Sequence, residues 1–302
     1  MGDFSADWLA LRETADARAR SSQLARQLVT WLGARSPGRP VEVLDLGCGA
    51  GSNFRWLAPH LGGNQRWTCL DRDPALLRAL VRVTGAWAER IGMEAISRPD
   101  GMALAAPGAA WKVETRVLDL RYGVIDLGFG LGYLVTASAL MDLVSESWLE
   151  SLVRHCAAHS CPQLHALSYD GRVTLEPREP LDGLVIALVN GHQRRDKGLG
   201  PALGPSAPLR TLGLARRLGL LSASVDSDWV LGSDDRAIQS TLVDGWTEAA
   251  LEQAAASMDV SDHEARRRIE SIGQWHAARL AHIAAGRSRM RVGHQDALFL
   301  PP

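Results

Sequence analysis

The chain has 302 residues, 46% of them apolar and 22% charged, and a formal net charge of −1. That is enough chain for a sizeable core in one large domain, and it provides no global field to draw in DNA or acidic lipid. Four cysteines are too few for a disulfide framework at this length, and no run reaches the roughly 18 apolar residues of a membrane span, so a soluble, cytoplasmic protein is expected.

The first twenty residues contain no apolar h-region and are not read as a secretory signal. Trp8, Leu9, Leu11, Leu24, Leu28, Trp31 and Leu32 recur at helical spacing, which predicts a helix over 5–33 stopped by Gly33. After the breaker "RSPGRP", "VEVLDL" reads as a buried strand, followed by a helix over 53–61 and a second strand, "RWTCLD". Asp73 and Pro74 offer an N-cap and a first-turn proline for the next helix. Residues 93–110 read as loop, "WKVETRVLDL" as a third strand and "YLVTASAL" as a fourth. A helix through "SESWLESLVRHCAAH" leads to a fifth strand, "QLHALSYDG". Such alternation predicts a parallel sheet with helices on both faces. Beyond it come helices over 180–192 and 205–219, a strand "SASVDSDWVLG", and helices over 234–257 and 261–286, the second with a capping box of Ser261 and Glu264. A last strand, "RMRVGHQDALFL", ends the pattern. The apolar stripes of the two late helices include Leu251, Ile269, Ile272, Trp275 and Leu280; they could pack on their own domain or form a homodimer, and intrachain packing is favoured.

The most informative stretch is "VEVLDLGCGAGSN", residues 41–53. A strand runs into Gly47, Gly49 and Gly51 and a helix starts just after, so the backbone can turn tightly and a ligand can lie against it. About twenty residues on, the second strand ends in Asp71, where a carboxylate can accept both hydroxyls of a ribose. Glycine turn, strand and acid at the strand tip together form a nucleoside-binding constellation.

The spacing G-x-G-x-G behind Asp45, rather than the G-x-G-x-x-G of dinucleotide binders, resembles motif I of the class I S-adenosylmethionine-dependent methyltransferases. Asp71 matches that family's acid at the end of the second strand. "VLDLR" puts Asp119 and Leu120 where the family contacts the adenine, and "TASALMD" matches the segment lining its methyl-donor pocket. The last strand fits its antiparallel seventh strand, inserted between strands five and six. The resemblance covers roughly residues 40–170 and the two last strands. It implies a Rossmann-like α/β fold, with a seven-stranded, mostly parallel sheet, helices on both faces and an antiparallel last strand. It also implies S-adenosylmethionine as the cofactor, contacted by Asp45, Gly47, Cys48, Gly49, Asn53, Asp71, Arg72, Asp119, Leu120 and Ser138. The whole chain is then one domain: an N-terminal helical cap (1–38), a donor-binding core (39–170), a substrate lid region (171–220) and a helical insert (234–286) before the last strand. "VIDLGFGLG", residues 124–132, repeats the glycine pattern, but a strand follows it instead of a helix, so it reads as a loop.

The accessory motifs that would mark a macromolecular acceptor are missing. There is no N-P-P-Y or D-P-P-Y after the fourth strand, no cysteine following a proline, and no paired-glutamate loop. A small-molecule acceptor, methylated on O or N, is the remaining expectation. The stretch "VNGHQRRDKGLGPALG", residues 189–204, follows strand five and rises from the carboxyl edge of the sheet. Arg194, Arg195 and Lys197 would suit an acceptor carboxylate or phosphate, with glycines letting the backbone close over it, and His192 would take a proton; the bland alternative is a charged, solvated turn. Asp142, Tyr169 and Asp170 are further candidates near the acceptor, and Trp8, Arg12, Arg18 and Arg20 could close over the donor. "HCAAHSC", residues 155–161, matches no zinc signature, and no metal is expected. Two other readings stay open: a protein or RNA methyltransferase recognising its target through 234–286, and a methyltransferase-like binding subunit without catalysis.

Overall fold

The computed structural model describes residues 5–35, 38–123, 129–256 and 262–302. Two helices open the chain where the spacing suggested one: α1 (Ala6–Ala19) and α2 (Ser22–Arg35). The Ser21 N–H is taken by the Asp296 carboxylate at 2.7 Å, and the Ser21 hydroxyl accepts from Leu24 N at 3.2 Å. The residue that would continue α1 therefore begins α2 instead.

β1 (Val41–Leu46), α3 (Ser52–Leu61), β2 (Gln65–Asp71) and α4 (Pro74–Arg90) follow as expected, and Asp73 caps α4 by accepting from Ala75 N at 2.7 Å. The segment read as loop holds two more strands, β3 (Glu94–Arg98) and β4 (Gly101–Ala106), which run antiparallel into β5 (Ala109–Val117). β3 is a mostly exposed edge strand and shows no apolar alternation. Met102 and Leu104 of β4 do alternate into the core, but over too short a run to stand out.

β6 (Tyr133–Ser138), α5 (Glu146–Ala158), β7 (Gln163–Glu176), α6 (Asp182–His192) and α7 (Ala207–Arg217) complete the alternating part. Residues 222–232 are two strands rather than one, β8 (Leu221–Asp226) and β9 (Trp229–Leu231). The chain turns between them because Asp228 accepts from Arg172 and Arg291, each at 3.0 Å. α8 (Arg236–Ala256), α9 (Asp262–Ala284) and β10 (Arg289–Leu300) end the chain. The expected capping box of Ser261 and Glu264 falls outside the described residues and side chains.

The strand order is β3-β4-β5-β2-β1-β6-β7-β10-β8, with β9 also on β10. β5, β2, β1, β6 and β7 are parallel, and β10 runs antiparallel to β7, β8 and β9. The seven strands legible in the sequence form this central arrangement; the hairpin of β3 and β4 and the division of 222–232 bring the described sheet to ten.

Both faces of β1 are buried, so its residues read as a nearly continuous apolar run. Val43 packs with Phe54, Leu57 and Leu80 of α3 and α4, while Leu44 and Leu46 pack with α5 and α7. Asp45 falls on the Val43 side and so faces α3, where Asn53 meets it. A third apolar cluster gathers Trp229, Val185 and Val189 with Trp246 of α8 and Ile272 and Trp275 of α9. The late helices therefore pack on their own chain; Leu251 and Leu280 join the same cluster, while Ile269 is exposed. Arg279 is fully buried between Asp182 and the Pro177 carbonyl, and Trp275 Nε1 donates to Asp182 at 2.8 Å. Among the described residues, no helix is long and apolar enough to cross a membrane.

Candidate active site

A cleft opens where β1, β2, β5 and β6 end. Beneath it, the backbone turns through Gly47, Gly49 and Gly51 at φ values of 62°, 53° and 84°, a conformation that side-chain-bearing residues avoid. Cys48 N donates to Leu70 O at 2.9 Å, which ties this turn to β2. Gly49 N and Asp73 N donate to the two oxygens of Asp71, each at 2.9 Å. The Asp71 carboxylate is thus held at the tip of β2 with lone pairs left over for a ligand's hydroxyls. Burial pushes its pKa above the usual value, and the two N–H bonds work against that rise.

On the next strand tip, Asp119 caps a single turn at Leu120–Tyr122, accepting from Arg121 N at 2.9 Å and Arg121 Nε at 2.8 Å. The Arg121 side chain holds its carboxyl below the usual range. Leu120 beside it is buried, and its carbonyl accepts from Trp148 Nε1 at 2.8 Å. Asp45 has no exposed surface. One of its oxygens accepts from Asn53 Nδ2 at 2.8 Å, and among the described residues the other, Oδ2, has no hydrogen-bond partner. Burial pushes its pKa up to about 7, with the Asn53 bond opposing. Burial likewise raises the Cys48 thiol. Asp45, Gly47, Cys48, Gly49, Asn53, Asp71, Arg72, Asp119, Leu120 and Ser138, the ten donor contacts expected from sequence, all line this one cleft.

The roof was only partly foreseen. α1 crosses the glycine turn with Leu9 so close that a Cβ on Gly49 would lie 3.0 Å from its Cδ1. Glu13 clasps Arg55 of α3 at 2.7 and 2.6 Å. Arg12 pairs with Asp16 at 3.0 Å, and its guanidinium sits 4.7 Å from the Trp229 ring. Leu9, Arg12, Glu13, Asp16 and Arg55 all line the cleft. Only Arg12 was singled out in sequence; the signal for Asp16 was its position one helical turn further on, an ion-pair spacing on one face. Of the other N-terminal candidates, Trp8 packs edge-on to Trp229, Arg18 pairs with Asp235 at the surface, and Arg20 donates to Ser138 Oγ at 2.9 Å.

The glycine-rich stretch after strand five divides. Lys197, Gly198 and Leu199 reach the cleft, whereas His192, Arg194 and Arg195 are not in its lining. His192 is held by Glu252 at 3.0 Å and stands 3.3 Å from Lys197 Nζ. Burial and the neighbouring lysine lower its pKa. Arg195 also lies against Glu252, at 3.5 Å, and Arg194 Nη1 donates to the Asn190 carbonyl at 3.0 Å. Nothing local in the sequence signals this pairing, because Glu252 lies sixty residues away on α8. Asp196 ties the loop by accepting from Gly198 N at 2.6 Å and Gly200 N at 3.1 Å.

Asp142 and Tyr169 are buried and are not among the residues that line the cleft. Burial raises the Asp142 pKa to about 6, against backbone hydrogen bonds and the positive charges of Arg12 and Lys197; its Oδ1 has no partner among the described residues. The Tyr169 phenol donates to Asn190 Oδ1 at 2.7 Å, and burial raises its pKa. Asp170 accepts from Arg172 Nε at 2.7 Å.

His155 and His159 stack at 4.2 Å at the end of α5; His155 Nε2 meets Phe129 O at 3.1 Å, and Cys161 Sγ donates to Gly130 O at 3.0 Å. These contacts hold the turn entering β6. Of the second glycine pattern, residues 124–128 lie outside the described residues.

No protein-family model and no curated protein matches the chain. Among solved structures, a cyclopropane-fatty-acyl-phospholipid synthase-like protein from Lactobacillus casei aligns at 11% identity, over 96% of this chain and 99% of that one, with a TM-score of 0.50. An S-adenosylmethionine-dependent methyltransferase from Thiobacillus denitrificans, in complex with S-adenosylhomocysteine, aligns at 14% identity over 99% of each chain, with a TM-score of 0.41. A geranyl diphosphate methyltransferase in complex with S-adenosylmethionine aligns at 13% identity, over 99% of this chain and 92% of that one, with a TM-score of 0.40. At such identities the first of these likenesses speaks to architecture, and it agrees with the strand order and the antiparallel last strand: the chain has the Rossmann-like methyltransferase fold.

Proposed function

We propose that this protein is an S-adenosylmethionine-dependent methyltransferase acting on a small-molecule acceptor. The observation that carries the reading is the packing of the Gly47–Gly49 turn against Asp71, with Asp119 on the adjoining strand tip. A carboxylate fixed by two backbone donors beside a bare backbone turn suits a ribose, and Leu120 offers an apolar floor for a base. The unpartnered, fully buried Asp45 Oδ2 fits the cationic amino group of such a donor, which would satisfy an acceptor that is otherwise costly to bury.

When bound, the cofactor supplies an electrophilic sulfonium methyl. The chain's residues bind, align and exclude water, which is most of what an in-line transfer needs. α1 forms the roof and excludes solvent through Leu9. Lys197 and Arg12 meet an acidic group on the acceptor: both line the cleft, and among the described residues Arg12 Nη1 makes no hydrogen bond. None of the three acid–base candidates lines the cleft. Asp142 is buried, with an Oδ1 unpaired among the described residues and a pKa raised to about 6, and His192 and Tyr169 are bonded to Glu252 and Asn190. Alignment and desolvation are therefore left to carry the transfer. The four buried free cysteines fit a reducing, cytoplasmic setting.

α8 and α9 bury Trp246, Ile272 and Trp275 against their own chain, which disfavours using them as a docking face for protein or RNA. The test is incubation of the purified protein with methyl-labelled donor and a fractionated cell extract. Label in the small-molecule fraction is expected; label confined to protein or RNA would overturn the acceptor class.

A further inference from the structure

Among the described residues the sheet ends at β3 on one side and at β8 on the other. The two edges differ. Four of the six residues of β8 are half-buried, and Asp226 at its end is taken by Arg172. Of β3, "EAISR", only Ala95 is half-buried and the other four residues are exposed. An open edge presents a row of N–H and C=O groups with which another strand can pair, and proteins commonly blunt it with lysine, proline or a bulge. β3 contains no lysine and no proline, and its register with β4 runs unbroken from Glu94 to Arg98.

The side chains of β3 fall on two faces. Ala95 pairs with Leu104, which is buried in one cluster with Leu80 and Ala88 of α4. Ile96 therefore points to the opposite face, with Glu94 and Arg98 two residues away on either side. Ile96 is 52% exposed. Glu94 and Arg98 stand about 13 Å apart along the strand, too far to meet each other. Neither side chain makes an ion pair or a hydrogen bond among the described residues. On the same face of β5, Lys112 and Glu114 pair with each other at 3.6 Å.

These features complement a second copy of themselves. Let two β3 strands run antiparallel about a two-fold axis beside Ile96. Glu94 of each copy then faces Arg98 of the other, and the two Ile96 side chains face each other, so both charge pairs and an apolar contact form at once. No other antiparallel register makes both charge pairs, and a parallel pairing in register sets like charge against like. We infer that β3 is the docking edge for a second copy of this chain, joining two sheets into one. The other face suited to a dimer, the apolar stripe of α8 and α9, is largely buried against its own chain. Five residues on a side are well short of the roughly 20–30 of a standard interface, so the dimer is weak and reversible. No residue of β3 lines the cleft, and the inference stands apart from the methyl-donor reading.

Sedimentation equilibrium of the full chain tests it, from about 1 μM to about 1 mM, the span in which weak interfaces dissociate. A reversible monomer–dimer equilibrium is expected. Glu94→Arg and Arg98→Glu each set like charges together at two places in the dimer, and each should weaken it about tenfold or more. The double variant Glu94→Arg, Arg98→Glu restores opposite charges and should return the dimer to near wild-type strength. Both positions are exposed, so the folded chain tolerates the changes. A strictly monomeric wild type would overturn the inference and leave the edge to a partner of another kind. A dimer that both single variants leave unmoved, or a double variant as weak as the singles, would overturn it too.

Discussion

The glycine turn makes a sharp demand at Gly51. Its φ is 84°, and a Cβ placed there would lie 2.7 Å from Leu80 Cγ and 3.1 Å from Arg55 Nη1. Two costs add in Gly51→Ala. The left-handed backbone costs a non-glycine residue about 1–2 kcal/mol. Pressing on Leu80, which is fully buried, forces a core shift worth about 1–3 kcal/mol. Arg55 cannot simply move aside, because its Nη1 also donates to Ala50 O at 2.7 Å and Thr84 Oγ1 at 3.1 Å while its other nitrogens hold Glu13. The expected loss is therefore about 2–5 kcal/mol, a large share of the roughly 5–15 kcal/mol that holds a domain together. Urea unfolding followed by tryptophan fluorescence measures it, with Gly33→Ala as the control. Gly33 lies within α2, and a Cβ there would meet nothing within 4 Å, so that variant should be neutral or gain up to about 1 kcal/mol. A Gly51→Ala protein within about 1 kcal/mol of wild type would refute the packing of the turn against α3 and α4.

Asp71→Ala should weaken S-adenosylhomocysteine by about 1.5–3 kcal/mol, read by calorimetry, since it removes the carboxylate offered to the ribose. Asp142→Asn should leave turnover and its pH profile near wild type, because the carboxyl does not line the cleft; loss of an acidic limb centred near its raised pKa of about 6 would show instead that it acts as a base. Lys197→Ala should raise the acceptor KM well above its effect on donor affinity, while Arg194→Ala and Arg195→Ala stay near wild type, because exposed pairs such as Arg195 with Glu252 are worth only about 0–1 kcal/mol. His165 is buried without a hydrogen-bond partner among the described residues, and burial lowers its pKa to about 4. The unfolded chain takes up a proton near pH 6.5 and the folded one does not, so this histidine's contribution is intact above 6.5 and is lost, by about 3 kcal/mol, as pH falls to 4. His165→Leu should be correspondingly flatter than wild type in denaturant midpoints across that window.

What could be read in the sequence follows from which signals are local. Glycine punctuation, strand tips ending in Asp71 and Asp119, and the Asp73–Pro74 start of α4 are each written in a few adjacent residues, and the structure gathers them along one cleft. The break between α1 and α2 was not legible, because it is made by Asp296, 275 residues away in sequence from Ser21. The β3–β4 hairpin was hidden because its outer strand buries almost nothing. The charged run after β7 is a similar case. His192, Arg194 and Arg195 make a dense charged run, but Glu252 and the Asn190 carbonyl claim them, leaving only Lys197 for the cleft. Charge density in a sequence says nothing of the partner that folding will bring.

Whether the cleft holds an adenosyl donor decides the function. Titration of the wild-type protein with S-adenosylhomocysteine tests this most directly, alongside the thermal melt. Expected are saturable heat at about one ligand per chain, a melting temperature that climbs with ligand concentration as mass action requires, and a weakening of both in Asp71→Ala. No heat and no melting shift with ligand in the millimolar range, from protein shown to be folded, would contradict donor binding.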